Sequence, residues 1–176
     1  MIVGRGRPGQ QRYELVRAAG CERIVLFAVD QDGWACHAEA LVHERMPEPA
    51  DFLEARIVFI AGMPIEISSE LASQARAAGA LVNVEDITEL CEFHVPAVVR
   101  REDLLIAVST GGKAPGLAQV LKRFLETIIG AEWGARVQLI ADARTRWRRE
   151  GVPKEEIVRQ TSELIDRENW LPRQAT

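Results

Sequence analysis

The opening of the chain carries the feature that most narrows its fold. "MIVG" is a short apolar run that leads into "RGRPGQQRYELVRAAG", and "RIVLFAV" follows at 23–29. An unbroken apolar run bounded by turn residues reads as a strand buried on both faces. The piece between the two runs reads as a helix. Pro8 suits its first turn, Tyr13, Leu15, Val16 and Ala19 supply an apolar face, and Gly20 closes it. The alternation then repeats. "ARIVFIAG" (55–62) is a second buried run, "PIEISSELASQARAAG" (64–79) a helix between Pro64 and Gly79, and "ALVNVED" (80–86) a further strand. Strands alternating with helices predict an α/β fold, a Rossmann-like doubly wound parallel sheet. "QDGWACH" reads as irregular, and "AEALVHERM" as a weaker strand ahead of Pro47 and Pro49.

Past residue 94 the character changes. "HVPAVVRREDLLIAVST" reads as two strands around a charged turn at Arg100 to Asp103. In "APGLAQVLKRFLETIIG" (114–130), Leu117, Val120, Leu121, Phe124, Leu125 and Ile128 recur at helical spacing, a stripe suited to a dimer contact or to packing on the sheet. Helices at about 134–149 and 153–167 follow, separated by Gly151 and Pro153. The expected divisions are 1–94, a nucleotide-binding domain; 95–130, a connecting segment; and 131–176, a small C-terminal helical unit.

The first strand ends in Gly4-x-Gly6-x-x-Gly9. In a loop between strand and helix, Gly4 permits the tight turn, Gly6 lets a pyrophosphate approach the backbone, and Gly9 lets the helix pack closely. The helix start then offers unpaired N–H groups and a positive dipole end. Asp30, at the end of the second strand, has the position of an acid that bonds a ribose 2′-hydroxyl, which favours NAD over NADP; it equally suits a solvated turn acid. Gly4, Gly6, Pro8, Gly9 and Asp30, with Ala61 and Gly62 at the end of the next strand, are the candidate cofactor-binding residues.

Composition excludes some classes of partner. A net charge of −4 leaves no dominant basic face for nucleic acid or an anionic membrane surface. No apolar run approaches the roughly 18 residues of a spanning helix. Cys21, Cys36 and Cys91 lack the spacing of a disulfide framework or of a structural metal site, and the chain opens on a strand rather than a signal peptide, so a cytoplasmic protein is expected.

One stretch carries a resemblance: Asn83-Val84-x-Asp86, Phe93, Pro96-Ala97, Arg101, then Ser109-Thr110-Gly111-Gly112-Lys113-x-Pro115, Leu117-Ala118 and a helix. With the glycine loop, it resembles the precorrin-2 dehydrogenase family, which includes the N-terminal part of sirohaem synthase, over about residues 1 to 130. The resemblance implies oxidation of precorrin-2 to sirohydrochlorin with NAD as hydride acceptor. In some members it also implies insertion of iron or another divalent metal. It implies a homodimer with residues 95–130 as the dimerisation region. By position, Asp86 matches the family's functional aspartate, expected to be semi-buried with a raised pKa. Ser109, Thr110, Gly111, Gly112, Lys113 and Arg101 fall where the tetrapyrrole binds.

The residues also admit other readings. "DITEL" has the outline of a capping box with Asp86 as the cap. Ser109 and Thr110 suit local backbone bonds. Arg100, Lys122 and Arg123 suit solvated surface, and His94 a packed side chain. The chain departs from the family in the short segment 30–38, in Met1 lying almost at the first strand, and in Ala61-Gly62-Met63-Pro64 where the family shows "ATDD". The alternatives are therefore a metal chelatase with weakened redox activity and a tetrapyrrole-binding protein without catalysis.

Overall fold

The computed structural model describes residues 1–29 and 40–171. Two compact units divide the chain, Met1–Val95 and Pro96–Thr176. The expected segments 95–130 and 131–176 fall together in the second unit, because the first C-terminal helix packs on the hairpin that precedes it.

The first unit is a parallel sheet of five strands: β1 (Ile2–Gly4), β2 (Val25–Ala28), β3 (Leu41–His43), β4 (Ile57–Ala61) and β5 (Leu81–Val84). The order β3-β2-β1-β4-β5 means that the chain winds outward from β1, then crosses back to place β4 on its other side. Helices α1 (Gly6–Ala18) and α2 (Ile65–Ala77) make the crossovers. Successive strand side chains point to opposite faces. Val3, Phe27, Val58, Ile60, Val82 and Val84 therefore form one core layer with Leu71, Ala72 and Ala75 of α2. Ile2, Leu26, Ala28 and Phe59 form the other, against Tyr13, Leu15 and Val16 of α1. The doubly wound parallel fold expected from the sequence is the one observed. Ala19, expected on the apolar face of α1, instead caps the helix and is exposed.

The outermost strand β5 has its free edge covered by the segment that follows it. Glu92 donates its N–H to the Val82 carbonyl at 2.9 Å and accepts the Val82 N–H on its carboxylate at 2.7 Å. Arg76 of α2 pairs with that carboxylate and donates to the Leu90 carbonyl at 2.6 Å. Cys91 Sγ accepts the Val84 N–H at 3.2 Å. An open strand edge invites pairing with other chains, and these groups occupy it. Phe93 packs edge-on against Phe59, with ring centroids 5.6 Å apart.

The second unit starts with an antiparallel hairpin, β6 (Ala97–Arg101) and β7 (Leu104–Val108), turning at Glu102 with φ +53°. Helices α3 (Pro115–Ile128), α4 (Glu132–Arg149) and α5 (Lys154–Arg167) follow. Within this unit Ala118 of α3 is buried, whereas Leu117, Val120, Leu121, Phe124 and Ile128 are exposed. Ala143 of α4 and Ile157 and Leu164 of α5 are buried. Arg136 lies over the rings of Trp133 and Trp170, 4.8 and 5.3 Å from their centroids, which gives these aromatics a packing role.

Candidate functional site

Ligands of open α/β sheets bind beyond the carboxyl ends of the strands, at the point where the winding reverses. Here that point lies between β1 and β4, where Gly4 and Ala61 stand opposite each other as the last paired residues. From Gly4 the chain turns into α1 through Arg5 and Gly6, the latter at φ +53°. The Gly9 N–H closes the first helical bond to the Arg5 carbonyl at 3.2 Å, and Gly9 is buried. Pro8 has no N–H to leave unpaired in this first turn.

Gly62 follows Ala61 at φ +73°. A Cβ built there would lie 2.5 Å from the Arg5 carbonyl oxygen, so the two loops meet backbone to backbone. The Arg5 N–H donates to the Ala61 carbonyl at 3.1 Å, and the Gly62 N–H donates to the Glu85 carboxylate at 3.1 Å. Gly4, Gly6, Pro8, Gly9, Ala61 and Gly62 are thereby gathered at one edge of one sheet. A glycine-lined helix start, with its backbone N–H groups, fits the pyrophosphate of a nicotinamide dinucleotide. Asp30 lies outside the described residues.

Asp86 follows β5 on the same edge, two residues past Val84. It has φ +57°, a left-handed conformation that Asp adopts more readily than most residues. Two expectations for it fail. It is exposed rather than semi-buried, because it rides on a turn that leaves the sheet. It is also not a helix cap: the 3-10 turn Thr88–Leu90 begins from Ile87, with no side-chain cap bond. Sequence reasoning did not single out Glu85, and it named Asn83 without its contacts. Glu85 reaches back to Gly62, and buried Asn83 donates to the Phe93 carbonyl at 2.9 Å while its Oδ1 has no hydrogen-bond partner. Glu85 and Gly62 lie 23 residues apart, and no sequence spacing announces their contact. The partner of Asn83 carried no sequence signal.

In the second unit, Ser109 Oγ accepts the Gly111 N–H at 3.2 Å and Thr110 Oγ1 accepts the Ala114 N–H at 3.2 Å. Both hydroxyls thus shape the turn into α3, the local alternative noted for them. Gly111 and Gly112 take φ +60° and +78°, and Lys113 is exposed. Arg101, expected to hold substrate carboxylates, is turned elsewhere. Its guanidinium donates to the Ile129 carbonyl at 2.8 Å and the Glu126 carbonyl at 3.4 Å, capping the end of α3, where a cation meets the negative end of the helix dipole. Lys122 pairs with Glu126, Arg100 and Arg123 are exposed, and His94 is exposed rather than packed.

Comparison with known proteins agrees with this architecture. The family described as putative NAD(P)-binding matches residues 1–97, more than half of the chain. The chain belongs to this family. The family described as sirohaem biosynthesis protein central matches residues 101–127. Siroheme synthase of Methylobacillus flagellatus is 34% identical over 150 residues, 82% of this chain and 32% of that protein. The siroheme synthase of Methylococcus capsulatus is 33% identical over 159 residues, 84% of this chain and 32% of that protein. The chain therefore spans about a third of the length of these curated relatives. The solved structure of SirC, precorrin-2 dehydrogenase, shares its fold, with a TM-score of 0.69 at 20% identity over 97% of this chain and 86% of that one. The resemblance read from "NVED" and "STGGKAP" is borne out, and the first unit is a nicotinamide-nucleotide-binding domain. No helix among the described residues is long and apolar enough to cross a membrane.

Proposed function

We propose that the protein is a cytoplasmic, homodimeric precorrin-2 dehydrogenase that uses NAD, with Asp86 taking the proton. The observation that carries this reading is the shared edge of β1, β4 and β5. The glycine loop, the backbone turn at Gly62 and an exposed acid on a left-handed turn all stand at the carboxyl ends of adjacent strands. Oxidation of precorrin-2 to sirohydrochlorin removes a hydride and a proton, and the oxidised nicotinamide supplies the hydride acceptor. The chain's own residues have three tasks. The helix start and Gly6 hold the dinucleotide phosphates. The Ala61–Gly62 turn keeps side chains out of the nicotinamide end. The Asp86 carboxylate receives the proton at an oxygen that carries no capping bond. NAD rather than NADP follows from the acid at position 30, which would bond a free 2′-hydroxyl and repel a 2′-phosphate. Ser109 to Lys113 remain the proposed tetrapyrrole contacts, with their backbone and the Lys113 ammonium more available than the two hydroxyls.

The reading is tested by titrating NAD and NADP into the protein while following thermal stability, since a ligand of the native state raises the melting temperature. NAD is expected to raise it and NADP to do so less. No shift with either at millimolar concentration sinks the proposal. Asp86→Asn is expected to lose dehydrogenation and keep the melting temperature, because Asn also tolerates the left-handed backbone. Wild-type turnover in that variant removes Asp86 from the mechanism. The Gly62 position, where the family shows Thr, favours a second reading, a sirohydrochlorin chelatase with weakened redox activity. Product spectra with and without iron or cobalt separate the two.

A further inference from the structure

We infer that Glu85 is a positioning residue of the cofactor edge, acting through the single peptide group that joins Ala61 to Gly62. The inference rests on the nicotinamide-nucleotide reading above and assigns a role to a residue outside the glycine loop.

That peptide group is held at both ends. Its carbonyl accepts the Arg5 N–H at 3.1 Å, and its N–H donates to the Glu85 carboxylate at 3.1 Å. One peptide plane thus links the glycine loop on β1 to the acid loop after β5, across the end of β4. Glu85 is itself anchored, because its own N–H continues the ladder to the Ile60 carbonyl at 2.9 Å. Backbone and side chain of Glu85 therefore grip β4 at two successive points. Gly62 needs this grip. Its φ of +73° turns the chain out of the strand, and its N–H has left the ladder that would otherwise pair it. A bond to an ionised acceptor is stronger than one to a neutral group, and bonds in series reinforce one another. Without the carboxylate the peptide is free to rotate, and its carbonyl then leaves the Arg5 N–H at the start of the phosphate-binding loop. Glu85 also directly precedes Asp86, so the same anchor sets where the left-handed turn begins.

The experiment uses the full chain as wild type, Glu85→Ala and Glu85→Gln. It measures NAD and NADH affinity by fluorescence titration, the melting temperature without ligand, and amide hydrogen exchange at Gly62. The inference expects Glu85→Ala to bind NAD about tenfold more weakly and to exchange the Gly62 amide faster, while Glu85→Gln, which keeps an acceptor oxygen, recovers most of the affinity. A structural role alone would lower the melting temperature of both variants without this split. Wild-type affinity in Glu85→Ala overturns the inference, as does a Glu85→Gln variant as weak as Glu85→Ala. If the wild-type protein binds neither nucleotide, the proposed function fails. Gly62 exchange then judges the latch by itself, and protection unchanged in Glu85→Ala overturns it.

Discussion

Asn83 Nδ2 donates to the Phe93 carbonyl at 2.9 Å, and this bond closes the loop that carries Asp86. Asn83 is buried on β5 among apolar neighbours, so its amide must find its partner inside the protein. Replacing Asn83 with Ala is expected to cost about 1–3 kcal/mol of stability, the usual penalty for a buried polar group left without its partner. Urea denaturation checks this. Turnover in Asn83→Ala should fall as well, because the loop loses its far anchor. A variant of unchanged stability would show that the bond contributes nothing net.

Gly62 tolerates no side chain. Both its φ and the 2.5 Å approach of a Cβ to the Arg5 carbonyl oppose one. Gly62→Ala is expected to lose about 1–3 kcal/mol of stability through backbone strain and to bind NAD more weakly, because the glycine loop must move to admit the methyl group. Thermal melts with and without NAD report both effects.

The helix face formed by Leu117, Val120, Leu121, Phe124 and Ile128 is exposed in the single chain, with Phe124 at 58%. An apolar stripe of this kind is what a partner subunit would cover. Light scattering coupled to size exclusion is expected to give a dimer for the wild type and a monomer for Phe124→Glu. A dimeric variant would move the interface elsewhere.

Asp51 sets one part of the acid sensitivity of the first unit. The Arg45 guanidinium binds its carboxylate at 2.8 and 3.0 Å, and the Glu48 N–H adds a bond at 2.6 Å; together they push its pKa down to about 2. A carboxylate whose folded pKa lies below its unfolded value stabilises the fold above the unfolded value and loses that stabilisation as pH falls through the folded one. The stability difference between wild type and Asp51→Asn is therefore expected to be constant near neutral pH and to shrink from about pH 4 toward about pH 2. Urea midpoints at stepped pH check it.

Much of this was legible in the residues. The apolar runs at 23–29 and 55–62 are strands because both of their faces meet a helix layer, and a run without alternation announces that. The glycines at 4, 6 and 9 marked the loop because a strand-to-helix turn favours them: Gly6 takes φ +53° and Gly9 is buried in the first helical turn. Two residues stand otherwise than expected, Arg101 through a partner far along the chain and Asp86 through the turn that carries it. Arg101 was assigned to a substrate and binds the Ile129 carbonyl instead. Asp86 was expected to be semi-buried, or to cap a helix, and does neither.

By itself the sequence determined the elements, the doubly wound parallel class and the family, because periodicity, turn chemistry and close backbone approach act over a few neighbouring residues. Only the tertiary structure decided that Glu85 holds Gly62, that Glu92 and Arg76 close the edge of β5, and that the stripe on α3 faces outward. Those outcomes depend on which strands end side by side. A hydrogen bond needs two groups within about 3 Å, and sequence spacing does not state that distance once the chain has crossed a sheet.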